Sequence, residues 1–494
     1  MPQWWLLSLL ALCHLSHSSN PAITLRLTRR GMNYGRNVGM NILRRELLNM
    51  KIPPLSGTLP APVIGNIHFR ISRSRVQRLD LGSTSADMIP DRSIKLSIRN
   101  ANIKIGGDWW LKYLWNIEDW GTYELSISKI TISATIVFAM DNSGRPTVSS
   151  ASCNSDISDV SFSFYGGASW LYNLFTGYIN SNIQSNLQRQ ICPDVTRSIY
   201  NLNSILRTLN TKANADKYAG IDYSMVMNPR ATSNYIDLNL NGQFYNNRKY
   251  QEPPLSPPYV YIPYSSSSML YIAMSEYTAN TAGFVYFSTG QLYVDITDYM
   301  IPRSSLLRLN TKSILQLIMP EIADQLPAYP IKLQIKANRQ PSVTFQPNNI
   351  TLQVFGSITA ALPGTTLGNL FILNVTASVD VKIQISAIKL FGRTSLNRMR
   401  LSFGSDYIEL LKVLPAPKIL RVDKETQALN IARLIELLQP LLEQAVQAIV
   451  MPMVNAQLSN GFPLPSFSWM QFVNPQLQVK QSYILIGTDA HYTG

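Results

Sequence analysis

The sequence has few of the residues on which most catalytic and metal sites depend. It holds 3 cysteines and 4 histidines in 494 residues. No H-E-x-x-H, G-x-S-x-G, G-x-G-x-x-G or C-x-x-C pattern occurs, and there is no Walker loop. Outside the N-terminal segment, neither remaining histidine, His68 or His491, has enough carboxylates nearby in the sequence to build a metal site. The sequence therefore predicts a protein that is not an enzyme and has no cofactor.

Charged residues and long apolar runs are also scarce. Charged residues make 15% of the chain, whereas hydrophobic residues make 46%. This balance is typical of a globular protein with an unusually apolar interior or cavity, and the length predicts two or more domains. Beyond the N-terminus, every run of 18 residues contains charges or helix breakers, so no transmembrane helix is expected.

The N-terminus carries one apolar run, QWWLLSLLALCHL at 3–15. It is too short and too close to the terminus for a membrane span, and Ser16 and Ser18 offer small residues at a cleavage site. We predict that residues 1–18 are a signal peptide, although no Lys or Arg precedes the run. A retained membrane anchor is the alternative. A signal peptide indicates a secreted, extracellular protein.

Cleavage would leave two cysteines, Cys153 and Cys192. In an oxidising compartment such a pair is bridged more readily than it is left free. Closing a loop of roughly 40 residues would stabilise the fold by up to ~4 kcal/mol. Two N-glycosylation sequons, at Asn349 and Asn374, fit the same compartment and predict a glycoprotein.

Positive charge is concentrated in the first half. Residues 19–220 contain 23 basic and 13 acidic residues, a net charge of +10, whereas the rest of the chain carries +4. A basic half favours anionic partners such as phospholipid headgroups, lipopolysaccharide or glycosaminoglycan. A merely solvated basic surface is the alternative. Nucleic acid is not expected, because the chain is predicted to be secreted and has no recognition motif.

The hydrophobic pattern predicts long antiparallel strands with one buried face. Apolar and polar residues alternate at 94–98, 123–138, 160–164, 331–335 and 379–385. Helical spacing appears at 29–50, 168–191 and 424–450. On the first of these helices Gly31, Gly35 and Gly39 form a line, which predicts close packing against a sheet.

A proline-rich segment, Glu252–Pro258, separates the two halves and is stiff enough to act as a connection. We predict an N-terminal lipid-binding barrel domain at 19–245 and a connecting region with a central sheet at 246–265. A C-terminal lipid-binding barrel domain is predicted at 266–494.

Short segments along the whole mature chain match one known family in order and spacing. They are Asn20-Pro21, Lys51-Ile52-Pro53, residues 97–105 (SIRNANIKI), Cys153 with Cys192, residues 167–171 (GASWL), residues 220–223 (GIDY), residues 280–283 (NTAG), residues 300–302 (MIP) and residues 461–465 (GFPLP). The chain resembles the bactericidal permeability-increasing protein and lipopolysaccharide-binding protein family, which also includes plasma lipid-transfer proteins.

The resemblance implies an α+β fold, an elongated boomerang of two similar halves. Each half is a strongly twisted antiparallel sheet around long helices, and a central sheet joins them. Each half opens an apolar pocket in which the acyl chains of a bound phospholipid lie. Each CH₂ that is buried there stabilises the complex by ~0.8 kcal/mol. The family's disulfide maps onto Cys153 and Cys192.

The sequence departs from the antibacterial members at the tip of the N-terminal half. There the family carries lysine- and arginine-rich loops that meet lipid A phosphates. The matching loop at 107–120 holds one base, Lys112, the loop at 56–62 holds none, and the loop at 141–146 offers Arg145. Phosphate binding at the tip is therefore weakened. The remaining candidates for anionic-headgroup contacts are Arg29, Arg30, Arg36, Arg44, Arg45, Arg70, Arg73, Arg75 and Arg78.

The same tip is rich in aromatic residues. Trp109, Trp110, Trp115 and Trp120 are half of the 8 tryptophans, and Tyr113 lies among them. Such rings favour the headgroup region of bilayers, which predicts a tip that docks on membranes. The alternative is that some of the rings pack inward.

Two function hypotheses follow. The first is a secreted, antibacterial innate-immunity protein that binds lipopolysaccharide of Gram-negative bacteria. The second is a carrier that transfers phospholipid or other apolar ligands without bacterial specificity and docks through the tryptophan-rich tip. A surface-active structural component of a secretion is a third possibility. A monomer is expected in each case.

Overall fold

The computed structural model describes residues 20–61, 65–113, 116–167, 169, 176–207, 211–264, 267–301, 303, 308–318, 323–324, 327–365, 369–403, 435–436, 438–465 and 470–493. The predicted signal peptide (1–18), Trp115, the first part of the predicted helix at 168–191 and residues 424–434 and 437 of that at 424–450 lie outside these residues.

The first strand and helix follow directly on one another. Strand β1 is Ile23–Thr28, and helix α1 is Arg29–Leu48, which confirms the helix predicted at 29–50. The hydroxyl of Thr28 caps the helix by accepting a hydrogen bond from the backbone N–H of Gly31. A Cβ on Gly31 would lie 2.5 Å from the carbonyl oxygen of Met269, but Gly35 and Gly39 have open space around them. The predicted close packing is therefore correct at Gly31 and wrong at Gly35 and Gly39.

The first curled sheet is antiparallel throughout. Its strands are β2 Leu55–Ala61, β3 Gly65–Asp80, β4 Ser83–Ile89, β5 Ser93–Tyr113, β6 Ile117–Met140 and β7 Pro146–Tyr165. The order is β2-β3-β5-β6-β7, and β4 pairs with the far end of β5. Register shifts interrupt the pairing of β3 with β5 and of β5 with β6. Such β-bulges bend long strands, so the sheet curls.

A long helix closes this sheet along one edge. Helix α2, Thr176–Arg207, packs along β7. The predicted disulfide is confirmed, because Cys153 on β7 is bonded to Cys192 on α2 with the Cα atoms 5.6 Å apart. The side-chain amide of Asn203 pairs with both the N–H and the carbonyl of Val148, each at 2.8 Å. Helix α2 thus satisfies backbone groups of the edge strand as a neighbouring strand would.

Two further sheets lie between the halves. Their strands include β8 Lys212–Asn214, β9 Ala219–Asp222, β10 Arg230–Ala231, β11 Tyr235–Leu240, β12 Gln243–Asn246 and β13 Leu270–Ser275. Strands β12-β9-β8 form a small sheet of their own. The central sheet has the order β10-β11-β1-β13, continued by the last two strands of the chain.

The residues that follow the proline-rich segment cover part of one face of the central sheet. Val260 and Ile262 pack there against a cluster that contains Tyr271, Ala273 and Leu485. The sheet therefore joins strands from both ends of the sequence beneath this connecting segment.

The second half repeats the plan of the first. It comprises helix α3 Glu276–Ser288, β14 Tyr293–Ile296, a 3₁₀ turn Asp298–Met300, helix α4 Thr311–Ile318, β15 Lys332–Ala337, β16 Ser342–Gln346, β17 Asn349–Ala361, β18 Asn369–Ser386, β19 Lys389–Phe403, a π-helical turn Val446–Val450, helix α5 Met451–Leu458, β20 Phe462–Pro463, β21 Met470–Lys480 and β22 Tyr483–Tyr492. Its curled sheet has the order β14-β15-β17-β18-β19-β20, with β16 beside β17.

Apolar packing holds this second sheet to its helices. Leu333, Ile358 and Leu373 from the sheet are buried in one cluster with Ile314 of α4 and Leu438. The predicted fold is confirmed, because two curled antiparallel sheets, each packed on helices, are joined by a central sheet. Within the described residues, no helix combines the length and apolarity that crossing a bilayer requires.

Candidate functional site

Two hairpins of the first sheet end side by side. The β2–β3 hairpin turns after Ala61 and the β5–β6 hairpin turns after Tyr113. Cross-strand pairing of His68 with Lys112 puts both turns at the same end of the sheet. We call this end, residues 55–61, 65–72, 107–113 and 116–122, the hairpin end.

Trp109 faces the interior of the hairpin end. It is 1% exposed, and its ring meets Phe164 edge to face with centroids 5.6 Å apart. Its indole N–H donates to the carbonyl of Tyr165 at 3.2 Å. The residue opposite is Gly121, on which a Cβ would lie 2.9 Å from Nε1 of Trp109. The prediction that Trp109 contacts membrane is therefore wrong, and the inward-packing alternative holds for this ring.

Trp110 and Trp120 face outward, because successive side chains on a strand alternate between its faces. Pairing places Arg70, Trp110 and Trp120 in one row across three strands. Trp110 is half-buried and its indole N–H donates to Glu118 at 3.3 Å, whereas Trp120 is 67% exposed. Tyr113, at the end of β5, is half-buried. Trp120 is thus the most exposed tryptophan among those described at this end.

Acidic neighbours compensate two basic residues of the outer face near the hairpin end, Lys112 and Arg73. The ammonium of Lys112 lies 3.5 Å from the carboxylate of Glu118. Arg73 adopts a left-handed backbone conformation, with φ of 52°, at the bulge in β3 and pairs with Asp108. Neither base is a free phosphate ligand in this arrangement.

Arg145 lies at the opposite end of the sheet. The β6–β7 turn follows Met140, 24 residues along β6 from the hairpin end, a contour length of roughly 80 Å at about 3.3 Å per residue. The carboxylate of Asp141 accepts hydrogen bonds from the hydroxyl of Ser143 and the backbone N–H of Arg145, which lower the pKa of Asp141. Placing Arg145 in the lipid tip was therefore wrong, because alternate turns of an antiparallel sheet lie at opposite ends.

The arginines of α1 contact backbone carbonyls. Arg29 donates to Ser233, and Arg36 donates to Thr84 at 3.1 Å. Arg30 donates to Ser267 and pairs with Asp489 at 2.7 Å. These contacts hold α1 to its neighbours, and the structure does not bring these arginines into the hairpin end. Arg44 and Arg45 lie exposed near the end of the same helix, Arg45 beside Glu46.

Three arginines of β3 form an exposed outer row. Arg70, Arg75 and Arg78 pair across the strands with Trp110, Gly106 and Lys104, all on the outer face. Among the described residues, none of the three guanidinium groups has an ion-pair or hydrogen-bond partner. We call these three residues the β3 arginine row. It is a linear set of cationic donors about 25 Å long at the rise of a strand.

The inner face of the same sheet is apolar and incompletely filled. Side chains from the sheet and from α2 face each other there and remain only partly buried. They are Ile103, Ile105, Leu111, Leu125, Ile179, Ile183, Leu187 and Ile191. Apolar groups left accessible between a sheet and a helix form a surface suited to an apolar ligand.

The predicted glycosylation sites occupy exposed positions on neighbouring strands. Asn349 begins β17 and Asn374 lies in β18, and both residues are exposed. Attachment of glycans at these positions stays a prediction. The described residues contain no group of three or more His, Cys, Asp or Glu placed to hold a metal ion.

One polar cavity that the structure contains was not predicted from the sequence. It lies on the outer face of the small β8-β9-β12 sheet and has a volume of about 240 Å³. The strands that form it are 3 to 4 residues long. So short a stretch cannot show a period, and the available signal was a dense run of Asn and Tyr at 241–250.

Family models and known relatives cover this architecture. The model described as the LBP / BPI / CETP family, N-terminal domain, matches residues 31–209, and that family's C-terminal domain matches residues 213–492. A bactericidal permeability-increasing protein from Sebastes schlegelii is 39% identical over 490 residues, 99% of each chain. Human lipopolysaccharide-binding protein is 28% identical, covering 96% of this chain and 94% of its own. A crystal structure of lipopolysaccharide binding protein superposes with a TM-score of 0.60 at 26% identity, covering 96% of this chain and 100% of the other.

Proposed function

Since the chain belongs to the LBP / BPI / CETP family, we propose that it is a secreted innate-defence protein that binds lipopolysaccharide of Gram-negative bacteria. The names of two relatives, one a bactericidal permeability-increasing protein and one a lipopolysaccharide-binding protein, support this function. The β3 arginine row is the single observation of this structure that carries the proposal.

Anionic headgroups are bound by the β3 arginine row. Guanidinium groups match phosphate oxygens with two parallel hydrogen bonds. Arg70, Arg75 and Arg78 are exposed, and no ion pair with another described residue has to be broken first. In contrast, Arg73 and Lys112 would have to leave Asp108 and Glu118.

Acyl chains of lipopolysaccharide or phospholipid are bound between the sheet and α2. The half-buried side chains Ile105, Leu125, Ile183 and Leu187 line this space. Each methylene transferred from water to such a lining contributes about 0.8 kcal/mol. The expected protein is a monomer that takes lipid as its ligand and uses no cofactor.

A salt series tests the proposal. We expect the purified mature protein to prefer lipid A vesicles over phosphatidylcholine vesicles, and the preference to fall with added salt. Replacing Arg70, Arg75 and Arg78 with Gln should weaken lipid A binding by about tenfold or more.

The matched control replaces three exposed arginines of β19 in the other half, Arg393, Arg398 and Arg400, with Gln. This variant loses the same formal charge and should keep its affinity. An equal loss of lipid A affinity in both variants would show that net charge alone causes the loss, and it would exclude a binding site at β3.

A second function, lipid transfer without bacterial specificity, is favoured by the exposed apolar groups at the hairpin end. Trp120 is exposed and Ile117 lies at the start of the same strand, also exposed. An exposed indole and aliphatic group partition into the headgroup region of a bilayer.

Vesicle-to-vesicle transfer of a fluorescent phospholipid tests this second function. Replacing Trp120 with Ser should slow transfer at any salt concentration, whereas replacing Tyr259, which is at least as exposed, with Ser should not. Transfer that is unaffected by the loss of Trp120 would remove the hairpin end from the mechanism.

A further inference from the structure

The small β8-β9-β12 sheet has one face on the core and one face toward solvent. Ile221 and Phe244 are buried in the core between the halves. On the opposite face the register aligns Gln243, Asp222 and Lys212 in one row across the three strands. This polar row borders the cavity of about 240 Å³.

The amide of Gln243 is buried and held by two phenols. Gln243 is 7% exposed, and its carbonyl oxygen accepts a hydrogen bond from the hydroxyl of Tyr277 at 2.9 Å. Burial raises the pKa of Tyr277 to about 12, so this phenol remains a neutral donor. The amide nitrogen of Gln243 lies 3.4 Å from the hydroxyl of Tyr250, which stands 66% exposed at the rim. The amide N–H₂ is thereby oriented toward the cavity.

The carboxylate of Asp222 is oriented in the same way. Its Oδ1 accepts the backbone N–H of Ser224 at 2.8 Å, which fixes the plane of the carboxylate. Its Oδ2 receives the amide of Asn241 at 3.4 Å, a long hydrogen bond. Because each carboxylate oxygen can accept two hydrogen bonds, Oδ2 keeps capacity for a further donor.

A flat aromatic wall completes the cavity. The ring of Tyr245 lies against the backbone of Gly220, where a Cβ would come within 2.5 Å of the ring. The ammonium of Lys212 lies 5.4 Å from the centroid of this ring. The cavity thus combines an apolar ring face with donors and acceptors on rigid supports.

We propose that this cavity binds a single hexopyranose ring. The hydroxyl groups of a sugar each donate and accept, which matches the amide N–H₂ of Gln243, the carboxylate of Asp222 and the amide of Asn241. The C–H face of a pyranose matches the ring of Tyr245. A volume of about 240 Å³ lies below the roughly 300 Å³ at which common ligand sites begin, so one ring fits rather than a longer chain. Lys212 lies beside Asp222 in the row and Arg248 also lines the cavity, so the lining carries both signs of charge.

The ring is either a free sugar or the terminal residue of a bacterial polysaccharide, and both present the same chemistry. The site lies outside the β3 arginine row and the sheet–helix interior. Its occupancy therefore does not depend on the proposed lipid-binding function.

Saturation-transfer NMR on the purified mature protein tests the proposal. The probes are the methyl α-glycosides of glucose, galactose and mannose. The competitor is the polysaccharide part of lipopolysaccharide, from which the lipid has been removed. We expect saturation transfer to at least one glycoside, weakened about tenfold in affinity in Asp222→Ser and in Tyr250→Ala. The matched controls are Asp87→Ser and Tyr261→Ala, which remove an exposed carboxylate and an exposed phenol elsewhere.

Displacement of the glycoside by the polysaccharide would identify the terminal sugar as the source, and a glycoside signal that resists displacement would identify a free sugar. No transfer to any glycoside or to the polysaccharide would overturn the proposal. The proposal would also be overturned if Asp222→Ser and Tyr250→Ala bound the glycoside as tightly as their control variants. Because Tyr250 is largely exposed, its truncation keeps the test valid even where Asp222→Ser perturbs the fold.

Discussion

Neighbouring tryptophans at the hairpin end have opposite surroundings. Trp109 fills the space left by Gly121 and is almost fully buried, whereas Trp120, in the outward row beside Trp110, is exposed to solvent. The contribution of a tryptophan to stability depends on the area that it buries. These residues therefore separate stability from surface function.

Replacing Trp109 with Ser should lower the free energy of unfolding by about 3–5 kcal/mol, as expected for emptying a large buried site. Replacing Trp120 with Ser should change it by less than about 0.5 kcal/mol. Thermal unfolding followed by circular dichroism measures both. Equal midpoints for the two variants would contradict the buried position of Trp109.

The sequence could predict that aromatic residues gather at this end but not which of them face inward. Strand periodicity shows that Trp109 and Trp110 must face opposite ways. The bulges between Ile98 and Ile103 reset that alternation, and they depend on pairing with β6, which local sequence does not reveal. Gly121, which has no side chain, was the one local sign that the ring of Trp109 faces inward.

At the scale of secondary-structure elements, side-chain amides hold helix α2 to strand β7. Asn180 accepts the backbone N–H of Phe162 at 2.8 Å, and Asn203 pairs with both backbone groups of Val148. The disulfide lies between these two contacts along the helix. Strand β7 would otherwise be a long edge with unpaired backbone groups, which is a liability in a β protein.

Replacing Asn203 with Ala should destabilise the fold by about 1–3 kcal/mol, because two partly buried backbone groups of Val148 lose their partners. Hydrogen exchange at the amide of Val148 should accelerate. Asn201→Ala is the control, since Asn201 is exposed on the same helix. The same exchange rate in both variants would show that the amide contacts of Asn203 do not hold the edge.

Long elements were predictable and their connections were not. The helix at 29–50 and the alternating segments of β5 and β6 follow from periodicity over many residues. The position of Arg145 does not, because it depends on counting hairpin turns through the sheet. The small polar sheet was missed, since strands of 3 to 4 residues carry too little pattern.

Across the whole molecule, one buried arginine connects three parts of the chain. Arg26 on β1 makes two hydrogen bonds of 2.7 and 2.8 Å to Asp237 on β11 and one of 2.9 Å to the carbonyl of Ile262 in the connecting segment after Pro258. Its guanidinium also lies 3.6 Å from the ring centroid of Tyr235. Hydrogen bonds to Asp237 and to the Ile262 carbonyl therefore fasten the connecting segment to the central sheet.

Replacing Arg26 with Met should cost about 3–5 kcal/mol, since Asp237 is left as a buried charge without its partner. The double variant Arg26→Met, Asp237→Leu should recover part of this loss, because no unpaired charge remains. Thermal midpoints of the two variants measure the difference. A double variant that is no more stable than the single one would contradict an ion pair as the source of the loss.

The central sheet also imposes an order of events during synthesis. Strand β13 lies between β1, which emerges from the ribosome early, and β22, which is the latest of the described strands to be synthesised. Helix α1 contacts that last strand directly, through Arg30 with Asp489 and through the hydroxyl of Tyr34, which accepts the backbone N–H of Tyr492 at 2.9 Å. One edge of β13 therefore stays unpaired until β22 has been synthesised. A premature stop before Tyr483 would remove β22 and leave that edge of β13 open, so the central sheet could not close.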